Sequence, residues 1–157
     1  MRLLDNADGK FVFALDRREQ RTLFQLLELY PLIPIGYHEI SRTQDQPDDQ
    51  QLLDEALTEQ RTENKKLATA LMENKTRLLP AEKGFLLILE APEIEWLLQV
   101  LNDVRVGGWL ALGSPEGDEA TLAAVNEKTV SFLWAMDAAA GFQMALIRAQ
   151  GGGGHSD

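Results

Sequence analysis

The segment Leu101–Trp109 holds the residues of this chain whose types and spacing best suit chemistry. It reads Leu-Asn-Asp-Val-Arg-Val-Gly-Gly-Trp. Asn102, Asp103 and Arg105 supply an amide, a carboxylate and a guanidinium, and Trp109 follows on the same predicted helix. Oriented hydrogen-bonding groups beside an indole are typical of a recognition site, either a pocket for a small molecule or a contact surface for a protein.

The same segment also has a structural interpretation. A helix that passes beneath the C-terminal helix is buried all round in its second half, and Gly107 and Gly108 allow another backbone to approach closely. In that case Asp103 and Arg105 anchor neighbouring backbone or each other. The residue pattern alone leaves both interpretations open.

No other part of the sequence presents a catalytic or metal-binding arrangement. His38 lies beside Glu39 in a predicted loop and His155 lies in the glycine-rich tail, but neither has the His-Glu-x-x-His or Glu-x-x-His spacing of a metal site, and the chain has no cysteine. Gly113–Gly117 precedes a predicted helix but lacks the lysine of a phosphate-binding loop. Glu93 and Glu95 are two residues apart on a predicted helix, so their carboxylates diverge. We therefore expect no catalytic residue, no metal and no cofactor.

The charge of the chain argues against some partners. The sequence has 25 acidic and 15 basic residues, a formal net charge of −10. Nucleic-acid binding needs a basic face that neutralises phosphates, so we expect neither nucleic acid nor a membrane as a partner. The N-terminal residues lack the apolar core of a signal peptide, and no apolar run appears long enough to span a bilayer. The expected location is the cytoplasm.

Periodicity predicts a mostly α domain with a small β element over residues 1–150, followed by a flexible glycine-rich tail at 151–157. Alternating apolar residues predict a strand at 11–15, and a short apolar run at 85–89 is read as a second strand. Helical spacing predicts about four helices, two of them long, at 16–30, 48–77, 92–112 and 118–149.

The predicted helix 48–77 has a thin apolar stripe. Leucines 53, 57, 67 and 71 recur at nearly heptad spacing, with Gln60 and Asn64 between them, and the remaining positions are polar. Such a helix packs against one neighbour or one partner helix. We therefore expect a protein partner, with this helix as a possible surface for a homodimer.

A strand followed by a helix occurs twice. Shifted by 74 residues, Phe11–Leu27 aligns without gaps with Phe85–Leu101, with six identities in 17 positions. The expected helix-capping acids Asp16 and Glu90 align as well. We expect the two strands to pair as a two-stranded ribbon about a pseudo-twofold axis, covered by helices because such a ribbon alone is marginally stable.

Residues 85–112 resemble a bacterial family best represented in actinobacteria, catalogued as domain-of-unknown-function family two thousand and seventeen. The likeness lies in the strand, the acid, the amphipathic helix and Leu101-Asn102-Asp103-Val104-Arg105, and the final helix with Phe132-Leu133-Trp134 is also similar. Members tend to carry Arg-Leu-Ala-Leu-Gly where this chain has Arg105-Val106-Gly107-Gly108-Trp109. The resemblance implies no reaction. Genes of the family often lie near that of a Clp protease adaptor, which implies a link to proteostasis.

These observations favour a non-enzymatic protein-interaction or adaptor domain. The alternative is a small-molecule-binding protein or an enzyme that uses a pocket around Asp103, Arg105 and Trp109. A secretion-type chaperone would share the small size and acidity, but such folds need a larger sheet than two strands.

Overall fold

The structure is a computed structural model that describes residues 1–34 and 47–152. The fold is α+β, and the described part of the chain forms five helices and one antiparallel sheet of four strands. The strands are β1 (Arg2–Asp5), β2 (Lys10–Asp16), β3 (Leu78–Ala81) and β4 (Gly84–Glu90). The helices are α1 (Arg17–Leu29), α2 (Pro47–Glu73), α3 (Ala91–Ala111), α4 (Asp118–Ala124) and α5 (Val130–Gly152).

The sheet has the strand order β1-β2-β4-β3, so the two predicted strands are its centre. β2 and β4 pair antiparallel along their whole length, with Phe13 opposite Leu87. Each central strand also pairs with a short strand that precedes it in the chain, which makes four strands where the sequence predicted two. These edge strands have four residues each, too few for a periodic signal, and Pro80 is tolerated because β3 is an edge strand.

Both helices that follow a central strand begin with an acid at the N-cap. The Asp16 carboxylate accepts from the backbone N–H of Glu19 at 2.7 Å, and the Glu19 carboxylate accepts from the N–H of Asp16 at 3.0 Å. At the start of α3, the Glu93 carboxylate accepts from the N–H of Glu90 at 2.9 Å. The start of α1 confirms Asp16 as a capping residue.

The predicted helix 118–149 is two helices, α4 and α5. Between them, the Asn126 side chain accepts from the backbone N–H of Thr129 at 3.2 Å. The Thr129 hydroxyl accepts from the N–H of Asn126 at 2.9 Å and donates to the carbonyl of Ala124 at 2.8 Å. These local bonds compete with helical hydrogen bonds and start a new helix, which the apolar periodicity alone does not reveal.

Other predicted boundaries differ by a few residues. α2 ends at Glu73 rather than at 77, because residues 74–77 form a turn in which the Asn74 side chain accepts from the N–H of Thr76 at 2.9 Å and the Asn74 carbonyl accepts from that of Leu78 at 3.0 Å. α5 continues to Gly152, two residues into the predicted tail, and the rest of that tail lies outside the described residues. Most of the connection at 31–47 lies outside them too, as do His38 and His155.

The core lies between one face of the sheet and the helices. Phe13 and Leu15 of β2 and Leu87 and Leu89 of β4 are at most 3% exposed. They form one cluster with buried residues of the helices, and α3 packs against α5 more extensively than any other pair of elements. Buried members from α3 include Ile94, Leu97, Val100, Leu101 and Val104. α3 is therefore the central helix of the domain.

The apolar stripe of α2 is used in part within the chain. Asn64, Ala68 and Leu71 are buried, and α2 contacts both α1 and β3. By contrast, Leu52 and Leu67 are exposed. Asn64 and Leu71 of the stripe thus already pack against the same chain. A homodimer through this helix stays a prediction.

Candidate functional site

Asp103 holds the segment that follows α1. One carboxylate oxygen, Oδ1, accepts from the backbone N–H of Leu32 at 2.6 Å and from that of Ile33 at 3.2 Å. Asp103 is half-buried on α3, and the 31–33 segment lies 70 residues away in sequence. Hydrogen bonds to an ionised acceptor are about twice as strong as neutral ones. Asp103 therefore anchors backbone, as the structural interpretation expects.

The diglycine lets two neighbours approach α3. A Cβ atom at Gly107 would lie 2.7 Å from the Cβ of Leu32, closer than packed carbon atoms come. A Cβ atom at Gly108 would lie 2.8 Å from Met136 Cγ and 3.1 Å from the carbonyl oxygen of Phe132, both on α5. The two glycines thus seat the 31–33 segment on one side of α3 and α5 on the other.

Asn102 and Arg105 face solvent. The Arg105 guanidinium donates to the Asn102 side-chain oxygen at 3.3 Å, a contact within one turn of α3 between two exposed side chains. Of the four predicted residues, only this pair presents exposed polar groups. Its geometry suits contact with a surface, since two exposed side chains on one helix turn enclose no cavity.

Trp109 closes the turn after α3. Its indole Nε1–H donates to the carbonyl of Pro115 at 2.8 Å. The ring is half-buried, as expected for a tryptophan with a polar partner at its edge. The indole N–H is thus bonded within the chain.

Five cavities in the described part of the chain lie elsewhere. The largest of five, about 660 Å³, is an open groove along one side of α2 with Pro31 at its edge. Three cations, Arg61, Lys65 and Lys66, line it together with Glu73. None of the five is lined by Asn102, Asp103, Arg105 or Trp109. The predicted residues do not converge on any of these cavities.

A buried polar network joins α2 to the end of α1. Asn64 is 3% exposed and donates through Nδ2 to the Tyr30 hydroxyl at 3.1 Å. Gln60 donates to the Asn64 oxygen at 2.9 Å. Lys65 Nζ donates to the carbonyls of Leu27 and Glu28, both at 3.2 Å, where α1 ends. Polar residues at stripe positions 60 and 64 were the sequence signal for this network.

The environment of Tyr30 changes its acidity. Burial raises the pKa of the Tyr30 phenol above its ordinary value of 10.0, and the negative charge of Asp103 raises it further. The hydrogen bond from Asn64 and the positive charge of Arg61 lower this pKa, but they do not outweigh burial. Tyr30 is therefore a neutral structural group at neutral pH.

The exposed face of α5 holds residues that the sequence did not single out as a surface. Val130, Trp134, Met144 and Ile147 are large, apolar and at least 40% exposed. Helical spacing brings them onto one side, opposite the buried residues of the same helix. We call this the α5 face. The sequence signal was the apolar character of the helix all round, which a surface helix normally lacks.

Helix α5 also bears on the membrane expectation. Residues 130–151 are long and apolar enough to cross a bilayer by length and composition, whereas the sequence analysis expected no such run. In this structure 28% of the apolar window is buried inside the protein. Length and composition are weak evidence here, because core helices of globular proteins pass the same test.

Comparisons with protein-family models, with curated proteins and with solved structures found no match to this chain. The family resemblance stays a prediction. Within the described residues, no group of three or more His, Cys, Asp or Glu side chains is placed to hold a metal ion.

Proposed function

We propose that this chain is a non-enzymatic protein-interaction domain that binds a protein partner through the α5 face. The observation that carries the proposal is the apolar exposed side of a helix whose other side is in the core. Ala135, Ala139 and Leu146 are fully buried, so the core holds the α5 face in a fixed orientation.

The composition of the α5 face supports a protein partner. Tryptophan and methionine are enriched at protein interfaces, and tryptophan is enriched among the residues that contribute most to binding. The helix carries only two charged side chains, Asp137 and Arg148, in 23 residues. At 1.5 Å per residue the α5 face spans about 26 Å from Val130 to Ile147, and Asp137 and Arg148 lie on the same exposed side. Exposed apolar patches of this kind mark interaction sites more often than chance.

A protein partner fits this face better than a bilayer. Asp137 lies on the exposed side, one turn after Trp134. A carboxylate at the centre of a bilayer costs about 3 kcal/mol, whereas a protein partner can supply a hydrogen-bond donor to it. The net charge of −10 also opposes binding to anionic lipids.

We further propose that the two strand–helix units are repeats about a local twofold axis. In support, Phe13 and Leu87, which are 74 residues apart, face each other at the middle of the β2–β4 pair. Glu19 and Glu93, also 74 apart, accept the same N-cap backbone hydrogen bond. In this proposal each unit is a hairpin followed by a helix, and α5 lies outside the repeat.

The link to proteostasis also remains a proposal, and only the family resemblance supports it. It would make the partner a component of protein quality control. The sequence predicted only two strands, too few for a secretion-type chaperone. Because the sheet has four strands, strand number no longer speaks against such a chaperone. Such a chaperone is itself a protein-binding protein, so the experiment below covers it too.

A small-molecule pocket around Asp103, Arg105 and Trp109 has less support. Asp103 binds backbone and the Trp109 N–H binds a carbonyl, so both polar groups are engaged within the chain. Arg105 extends into solvent with Asn102.

Affinity purification from the native host, followed by mass spectrometry, tests the proposed function. The bait is compared with a Trp134→Ser/Met144→Ser variant and with Leu52→Ser, a control that removes an exposed leucine from α2. We expect one reproducible protein partner that the wild type and Leu52→Ser retain and the double variant loses. Thermal unfolding confirms that all three are folded.

Three outcomes would contradict this function. The double variant could capture the same proteins as the wild type. A small molecule could co-purify in place of a protein. The wild type could also float with neutral lipid vesicles in a manner that depends on Trp134, which would assign the α5 face to a bilayer.

A further inference from the structure

The face of the sheet opposite the core is mainly apolar, with the exposed Arg2 beside Ala14 at its β1 edge. Its apolar part, which we name the outer sheet face, consists of Val12, Ala14, Leu79, Leu86 and Ile88, which alternate along their strands with buried core residues. All five are partly exposed, and in the described part of the chain none belongs to the core cluster. Antiparallel strands with one face in water normally alternate apolar and polar residues, whereas apolar runs are typical of strands covered on both faces.

We propose that a second copy of this chain covers the outer sheet face. The argument begins with charge. Lys10 and Glu90 are directly opposite each other at one end of the β2–β4 pair, and both are exposed. A twofold axis along the strands, between β2 and β4, places β2 of one copy over β4 of the other. Each Lys10 then faces Glu90 of the other copy. The Glu90 carboxylate also lies 3.6 Å from the Arg77 guanidinium of its own chain, and because it is exposed it can contact both cations, so two intermolecular ion pairs can form.

Side-chain sizes favour the same axis. It places Val12 opposite Ile88 and Ala14 opposite Leu86, so each facing pair combines a smaller and a larger side chain. The other in-plane axis, across the strands, would place Val12 over Ala14 and Leu86 over Ile88. That arrangement leaves a gap between the two small side chains, Val12 and Ala14, and crowds the two large ones, Leu86 and Ile88. Interdigitation at the usual spacing of about 10 Å between sheets therefore selects the axis along the strands.

The small area of the outer sheet face predicts a weak dimer. Strands of 4, 7, 4 and 7 residues cover about 360 Å² per copy at roughly 3.4 Å per residue and 4.8 Å between strands. Specific interfaces of standard size bury about 800 Å² per partner, and smaller ones are transient. The dissociation constant should therefore be micromolar or weaker. This contact lies on the side of the sheet away from the core and does not involve the α5 face.

Sedimentation equilibrium of the full chain at about 0.15 M salt, where long-range repulsion is screened, tests the proposal. We expect the average mass of the wild type to rise from monomer towards dimer between about 1 μM and 1 mM protein. Val12→Thr/Ile88→Thr keeps two strand-forming residues but removes apolar contact, and it should raise the dissociation constant at least tenfold.

Two charge reversals complete the test. Lys10→Glu sets like charges against each other across the interface and should raise the dissociation constant about threefold to tenfold. Lys75→Glu changes the net charge equally at an exposed position between α2 and β3 and should leave the constant unchanged. Circular dichroism and thermal unfolding confirm the fold of each variant.

The proposal is overturned if the wild type stays monomeric at 1 mM, which would leave the outer sheet face to a different protein. It is also overturned if Lys75→Glu weakens the dimer as much as Lys10→Glu, or if the threonine variant dimerises like the wild type. A dimer that Trp134→Ser dissociates and the sheet variants do not would place self-association on the α5 face. The affinity purification described above tests the α5 face independently of this dimer, because the sheet variants leave the α5 face intact.

Discussion

Replacing Asp103 separates the structural and recognition interpretations of the Asn102–Arg105 segment. Asp103→Ala removes the oxygen that accepts from the backbone N–H groups of Leu32 and Ile33. A backbone donor left without its partner costs about 1–3 kcal/mol, less where water can reach it. Asp103 is half-buried, so we take the lower half of this range for each donor. The expected loss in the free energy of unfolding is about 2–4 kcal/mol.

Two matched variants show how much of this loss comes from the charge of Asp103 and how much follows from removing any side chain in this segment. Asp103→Asn keeps an acceptor oxygen of the same reach but removes the charge, so its expected cost is about 1 kcal/mol. Arg105→Ala removes an exposed side chain two residues away, whose hydrogen bond to Asn102 is open to solvent. Its expected cost is below about 0.5 kcal/mol.

Urea and thermal unfolding, followed by circular dichroism, measure these differences. For a chain of this length, 1 kcal/mol corresponds to about 2–4 °C in Tm, so Asp103→Ala should lower Tm by about 4–16 °C. The order of destabilisation should be Asp103→Ala, then Asp103→Asn, then Arg105→Ala. Equal losses from Asp103→Ala and Arg105→Ala would refute the reasoning, and so would a loss below 0.5 kcal/mol for Asp103→Ala.

Gly107→Ala should destabilise the fold by about 1–3 kcal/mol, because the added methyl group meets Leu32 at 2.7 Å. Gly141→Ala, on α5 with no atom within 4 Å of its Cβ position, should instead stabilise by about 0.5–1 kcal/mol in the same unfolding assay. The raised pKa of Tyr30 means that the folded state prefers the neutral phenol. The contribution of the neutral Tyr30 phenol to the free energy of unfolding is therefore complete below pH 10 and is lost as pH rises through the folded-state pKa. Unfolding of the wild type and of Tyr30→Phe, measured as a function of pH, should show this loss.

The controls for these predictions come from the same chain. If Gly107→Ala and Gly141→Ala shift stability in the same direction, the close approach of Leu32 is not what requires glycine. Tyr30→Phe leaves the Asn64 donor without its acceptor and should cost about 1 kcal/mol at neutral pH. The test is the difference in free energy of unfolding between the wild type and Tyr30→Phe, followed as the pH rises above 10. A constant difference there would contradict a raised Tyr30 pKa.

The sequence was informative where a pattern repeats over many residues. Both central strands, α1 and α3 were predicted within a residue or two, because period-two and period-3.6 patterns report which side is buried. The strands β1 and β3 carry four residues each and are defined by pairing with a neighbour, which no local pattern encodes. The interruption between α4 and α5 depends on side-chain hydrogen bonds of Asn126 and Thr129.

The candidate site shows the same limit. Asn102 and Arg105 are three residues apart on α3, and the structure joins their side chains by a hydrogen bond across one helical turn. The partner of Asp103 is backbone 70 residues away, whose position depends on the whole fold. Likewise, the spacing in the last helix placed its apolar residues close to one face, whereas in the structure Ile147 is exposed on the side opposite the buried residues.

The second strand–helix unit differs from the first by an extension at 102–109, and this extension has a structural role. The extension at 102–109 holds the segment that leaves the first unit, through the Asp103 carboxylate and the close approach of Gly107 to Leu32. This extension therefore ties the exit of one unit to the helix of the other. Most of its conspicuous residues are committed to the fold, and only Asn102 and Arg105 remain available to a partner. A partner surface is then expected where exposed side chains make no contact that holds the fold. The exposed side of α5 meets this condition, because its opposite side already packs against α3.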